Sequence, residues 1–121
     1  MATENQTYDN LIAGEFPIVT ERVTIASGAD LKRGTILGIV TASGKYAAAD
    51  STDTGNTATG TATPKAVLLE DATAESADAS NVLVALTGEF NSAKLIAKTG
   101  STVAGFKDGL RTVGIFEKSV I

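Results

Sequence analysis

The chain has 121 residues, enough for one domain with a core of its own and too few for two. It has no cysteine and no histidine, which excludes disulfides, thiolate zinc sites, cysteine nucleophiles and the commonest general base and metal ligand. Its net charge is −4, from 10 Lys and Arg against 14 Asp and Glu, with 5% aromatic residues and no tryptophan, so neither the basic patch nor the stacking platform of a nucleic-acid binder is visible.

The first ten residues, MATENQTYDN, lack the basic start and apolar centre of a signal peptide. No apolar run approaches the roughly 20 residues of a membrane helix. These readings point to a soluble protein made in a cytoplasm. Residues 1–15 are polar, with Tyr8, Leu11 and Ile12 as isolated apolar points. With neither helical stripe nor strand alternation, they are expected to form a flexible N-terminal arm. Residues 1–21 hold Glu4, Asp9, Glu15 and Glu21 and no Lys or Arg. Residues 91–121 hold Lys94, Lys98, Lys107, Arg111 and Lys118 against only Asp108 and Glu117. An acidic arm and a basic end differ in the partners they suit.

Phe16 and Pro17 open the next stretch, and proline suits a strand entry or an edge. Val23 and Ile25 alternate with Arg22 and Thr24, the pattern of a half-buried strand. SGADLKRG is turn chemistry, and TILGIVT (35–41) reads as a strand with a bulge or close approach at Gly38. After Tyr46, residues 47–63 hold no large apolar side chain and are expected to form a long surface loop. Ala66–Leu69 and Val82–Leu86 are continuous apolar runs of strand length, as in strands covered on both faces. KLIAK (94–98) and TVGIF (112–116) read as further strands. Between them Val103, Phe106 and Leu110 stand at helical spacing, with Ser101 or Thr102 as N-cap. Gly105 and Gly109 each weaken that helix by about 1 kcal/mol. The expected fold is mainly β: about seven short strands and one short C-terminal helix, with residues 16–121 as a single domain behind the 1–15 arm.

Three constellations suggest chemistry. Asp53-Thr54-Gly55 is the aspartic-protease tripeptide, but its polar flanks cannot hold two carboxylates at the separation a shared proton needs. Asp50, Asp53 and Asn56 hint at a calcium loop. Position 12 of that loop is Thr61 rather than glutamate, and no helices flank it. Glu70, Asp71 and Glu89 are the best carboxylates for acid–base work, yet carboxylates at strand ends and turns are more often solvated. No phosphate-binding or dinucleotide-binding glycine motif occurs. The residues support no enzyme, cofactor or metal.

Four segments carry a resemblance: LIAGEFPIVTERVTIASGADLKRGTILGIVTASGKY (11–46), AVLLEDATAESAD (66–78), VLVALTGEFN (82–91) and LRTVGIF (110–116). In this order they resemble the bacteriophage head decoration proteins, the lambda-like capsid cement family. The resemblance implies a small β-tulip-like domain with no catalysis and no cofactor. It implies homotrimers on the outside of the expanded capsid, at three-fold and quasi-three-fold sites. There they would bind the major capsid protein and hold the head against packaged DNA. The protein would be found in the virion, and in host cytoplasm during assembly, with no nucleic-acid or membrane partner. The arm would order on the shell through Tyr8, Leu11, Ile12, Phe16 and Pro17. The alternative from a different class is a small β binding module, for example for carbohydrate, with Tyr46 facing a sugar.

Overall fold

Alternating Val23 and Ile25 give β1, Thr20–Ile25, in which Glu21 and Arg22, on opposite faces, are both exposed. The remaining strands are β2 (Ile36–Ile39), β3 (Tyr46–Ala48), β4 (Pro64–Leu68), β5 (Ala79–Ala85), β6 (Gly88–Asn91) and β7 (Ile115–Lys118). One helical segment, a 3₁₀ turn at Ala104–Phe106 running into α1 at Lys107–Thr112, precedes β7. The computed structural model describes residues 17–28, 30–40, 43–50, 63–98 and 101–118.

Five strands close a barrel in the order β1-β3-β2-β4-β5, and β6 pairs with β7 in a separate parallel ribbon. The barrel is antiparallel except at one seam. There β1 meets β3 in parallel at a single residue pair, Ile25 with Tyr46. The β2–β4 register shifts between Leu37 and Gly38, the bulge that a glycine inside an apolar run suggests.

The wall of the barrel separates two cores. Ile25, Leu37, Ala66, Leu68, Val82 and Val84 fill the interior. Ile36, Val67 and Ala85 point the other way and pack under Phe90, Phe106, Leu110 and Ile115 from the ribbon and helix. Because strand side chains alternate, Ala66 and Leu68 of β4 serve one core and Val67 the other. That double burial is why Ala66–Leu68 read as an unbroken apolar run.

The strand β3 begins where a loop was expected. Its residues are only alanine and tyrosine, which give no apolar signal, yet Ala47 and Ala48 pair with β2. The expected strand at 94–98 is reduced to one bridge, Ile96 with Thr35. Glu89, expected in a turn, instead lies on β6, Gly88–Asn91. Gly88 adopts φ 144°, and a Cβ there would meet Ile18 and Phe90 at 3.0–3.1 Å, so the glycine permits the close approach that starts the ribbon. The last strand starts three residues later than expected, because the helix runs to Thr112 and Gly114 turns the chain at φ 86°.

The helix buries Phe106 and Leu110 as their spacing predicts. Thr102 Oγ1 accepts from the Gly105 amide at 3.0 Å, the cap expected of Ser101 or Thr102. Gly109 is explained by packing, since a Cβ would sit 2.9 Å from Pro64 Cγ of β4. The ten residues from Leu69 to Asp78 form a strap between β4 and β5 with no strand of their own. Within it Ala72 and Ala74 are buried against the barrel interior.

Candidate functional site

The carboxylates that looked suited to catalysis are occupied by the backbone. Glu70 Oε2 accepts from the Leu83 amide at 3.0 Å and lies 3.6 Å from Arg22 Nη1. Asp71 Oδ1 accepts from the Arg33 amide at 2.8 Å. Arg33 Nη1 in turn donates to the Leu69 carbonyl at 2.6 Å. Glu89 lies half-buried on β6, apart from that pair in the fold. None of the three lines the groove between the end of β1, β3 and the 96–98 segment. Glu70 ties the end of β4 to β5 and Asp71 ties it to the turn at Arg33, a structural use of charge.

Asp53, Thr54, Gly55, Asn56 and Thr61 lie outside the described residues. Asp50 is described, and its Oδ2 is 3.2 Å from Lys98 Nζ. Among the described residues no group of three or more acids is placed to hold a metal ion. Tyr46, the residue that the alternative reading places against a sugar, lies on β3. It packs half-buried against the barrel interior. Burial, with Glu21 nearby, raises its hydroxyl pKa above the ordinary value of 10.0.

Two further acids had no sequence motif to mark them. Asp30 Oδ1 accepts from the amides of Ala74 and Glu75, both at 3.0 Å. Asp78 accepts from the Ser27 amide at 2.8 Å and pairs with Lys45 Nζ. The Lys45 hydrogen bond, then the Ser27 amide, lower the Asp78 pKa from 3.8. A third acid, Glu117 on β7, has Oε2 buried without a hydrogen-bond partner. Burial raises its pKa from 4.5, opposed by Lys107. Only the fold brings these partners together, because they lie far apart along the chain.

The groove of about 440 Å³ opens between the end of β1, β3 and the 96–98 segment. Ala26, Leu31, Thr35, Ala48 and Ile96 form its walls, with Asp30 and Lys32 at the rim. It holds no nucleophile–base pair.

The other exposed apolar surface lies at the start of β1. Ile18 is 37% and Val19 52% exposed, and Pro17 beside them is exposed as well. This stretch is held against the end of β5. Leu86 N donates to the Val19 carbonyl at 2.6 Å, and Thr87 Oγ1 donates to the Pro17 carbonyl at 2.8 Å. In an antiparallel ladder the residues facing the partner alternate. Val19 faces β5, so the amides and carbonyls of Thr20 and Arg22 face outward. No described strand covers them there, since β3 joins β1 only at Ile25. Pro17 therefore sits at the head of an open strand edge. The other arm residues singled out from sequence, Tyr8, Leu11, Ile12 and Phe16, lie outside the described residues.

The family described as Bacteriophage lambda head decoration protein D matches residues 1–113 of the chain. That span takes in the first three resembling segments whole and the start of the fourth. No curated protein matches the chain.

Proposed function

The chain belongs to the bacteriophage lambda head decoration protein D family, whose members are structural proteins of the phage capsid, and from that premise we propose how it decorates the head. It binds the outer surface of the expanded shell as homotrimers at three-fold and quasi-three-fold sites. There it holds neighbouring major capsid subunits together against the pressure of packaged DNA. Residues 1–15 act as the capsid-binding arm and residues 16–121 as one β-rich domain. Tyr8, Leu11, Ile12, Phe16 and Pro17 are the anchors.

The observation that carries this reading is the open outer edge of β1, which runs directly out of the arm. A strand of the shell can add to such an edge through main-chain hydrogen bonds, while apolar anchors fill pockets between them. Three arms on one trimer raise the effective concentration of each contact, so weak single contacts give firm attachment. The acidic charge of the arm favours a basic site on the shell and makes attachment weaker at high salt. No catalytic step is needed for any of this, and Glu70 and Asp71 hold backbone amides of β5 and of the turn at Arg33 instead.

The experiment is to mix the protein with expanded heads that lack it, pellet them and reconstruct the complex. Density in groups of three, on the outside, at three-fold positions is expected. Single isolated copies away from those positions would overturn the trimer assignment.

A further inference from the structure

The strap and the turn it lies on are joined by four backbone N–H groups that donate to carboxylates, beside three backbone–backbone bonds and the Arg33 guanidinium on the Leu69 carbonyl. Asp30 reaches across to the amides of Ala74 and Glu75, Asp71 back to that of Arg33, and Asp78 to that of Ser27. Backbone bonds between Leu31 and Ala72 in both directions, and from Gly28 N to the Ala74 carbonyl, complete the seam. Beneath it, the only strap side chains buried in the barrel interior are two methyl groups, those of Ala72 and Ala74. Leu69, where the strap leaves β4, packs against the outer core and bonds the Leu83 carbonyl; beyond it, a segment held by exposed charged acceptors and little apolar burial is loosely coupled to the strands below it.

We propose that Leu69–Asp78 is an acid-opened lid, which lifts away when its carboxylates protonate and uncovers the apolar interior at that end of the barrel. A protonated carboxyl is a weaker acceptor than a carboxylate, so each amide it holds loses its charge-assisted bond. The charged groups around the latch act with it. Lys45 neutralises Asp78, Arg33 stands beside Asp71, Lys32 and Glu75 flank Asp30, and Arg22 pairs with Glu70 where the strap begins. The lowered pKa of Asp78 places its own release below the ordinary aspartate range. On the barrel side a carboxylate holds the Leu83 amide of β5, through Glu70, while other amides there bond carbonyls. Leu68 N bonds the Thr35 carbonyl and Ala49 N the Ile36 carbonyl, both insensitive to pH in this range.

Amide hydrogen exchange on the full chain, corrected for intrinsic rates at each pH from 7 to 3, tests the proposal. Protection at Arg33, Ala72, Ala74 and Glu75 is expected to fall by about tenfold or more, while Leu68 and Ala49 keep theirs. The double variant D30A/D71A should show the same loss at pH 7. If that variant does not fold, Asp78→Asn serves, with exchange at Ser27 raised at neutral pH. A hydrophobic dye should bind in acid before the β-sheet signal in circular dichroism falls. Strap and barrel amides losing protection together, or strap amides fully protected at pH 3, would overturn the lid.

Discussion

The two cores on either side of the barrel wall are built on different plans. The interior is aliphatic and small, with Ile25, Leu37, Leu68, Val82 and Val84 drawn from four strands by simple alternation. The outer core is made of larger pieces gathered from far apart: Phe90 from the ribbon, Phe106 and Leu110 from the helical segment, and Ile115 from β7. They meet at β4, where alternate residues serve each side. The comparison teaches that the ribbon and helix are part of the same cooperative unit as the barrel, because their apolar faces share one wall.

The largest effect is expected from Phe90→Ala. Phe90 is fully buried and, with Phe106, one of the two phenylalanines of the outer core, so its loss should cost about 3–5 kcal/mol. Leu68→Ala, on the other face of the same strand wall, should cost about 2–5 kcal/mol. Urea denaturation followed by two probes should give one transition for each variant. Two separate transitions, with the ribbon and helix melting ahead of the barrel, would break the shared-wall account.

Gly109→Ala sharpens the same point at the joint between the helix and β4. Alanine is the better helix former by about 1 kcal/mol, yet its Cβ would stand 2.9 Å from Pro64 Cγ. The overpacking is expected to win, with a net loss of roughly 1–3 kcal/mol. A gain in melting temperature would show that the helix can slide away from β4.

The apolar runs made β4 and β5 legible, because burial on both faces leaves no polar residue to confuse the period. The helix was legible from Val103, Phe106 and Leu110, and the bulge from Gly38. What stayed hidden was set by long-range geometry. Three residues of β3 carry no apolar signature, and only their pairing with β2, and at Tyr46 with β1, makes them a strand. Glu89 looked like a turn residue because a glycine permitting close approach, as Gly88 does, and a glycine permitting a turn are the same letter. Asp30 and Asp78 could not be linked to the amides they hold, since those partners lie 44–51 residues away. The four quoted segments made the family legible, while the open edge of β1 needed the barrel order.

Smaller effects come from charge. Glu117 has a raised pKa in the fold, so the folded state favours its protonated form. The penalty for ionising it is absent below pH 4.5 and fully present above the folded pKa. Glu117→Gln should therefore raise stability at pH 7, by less than about 1 kcal/mol given its partial exposure, and change little at pH 4. Asp78 has the opposite sign. Its lowered pKa contributes stability that is complete above about pH 3.8 and lost as pH falls through the folded value. Asp78→Asn should remove that part of the acid sensitivity, read as a flatter melting temperature between pH 5 and 3, with the smallest change of the set at neutral pH.

The central claim is that capsid attachment needs the arm that leads into β1, rather than running through the folded domain alone. Comparing full-length protein with a variant lacking residues 2–15, in thermal melting and in binding to expanded heads that lack the protein, tests it most directly. Ordering a strand costs about 1–2 kcal/mol of backbone entropy per residue, and each buried anchor returns roughly 1.5–3 kcal/mol. The account predicts nearly unchanged melting and a fall in capsid affinity by orders of magnitude. Equal binding by the two proteins would contradict it and move the attachment site onto the barrel.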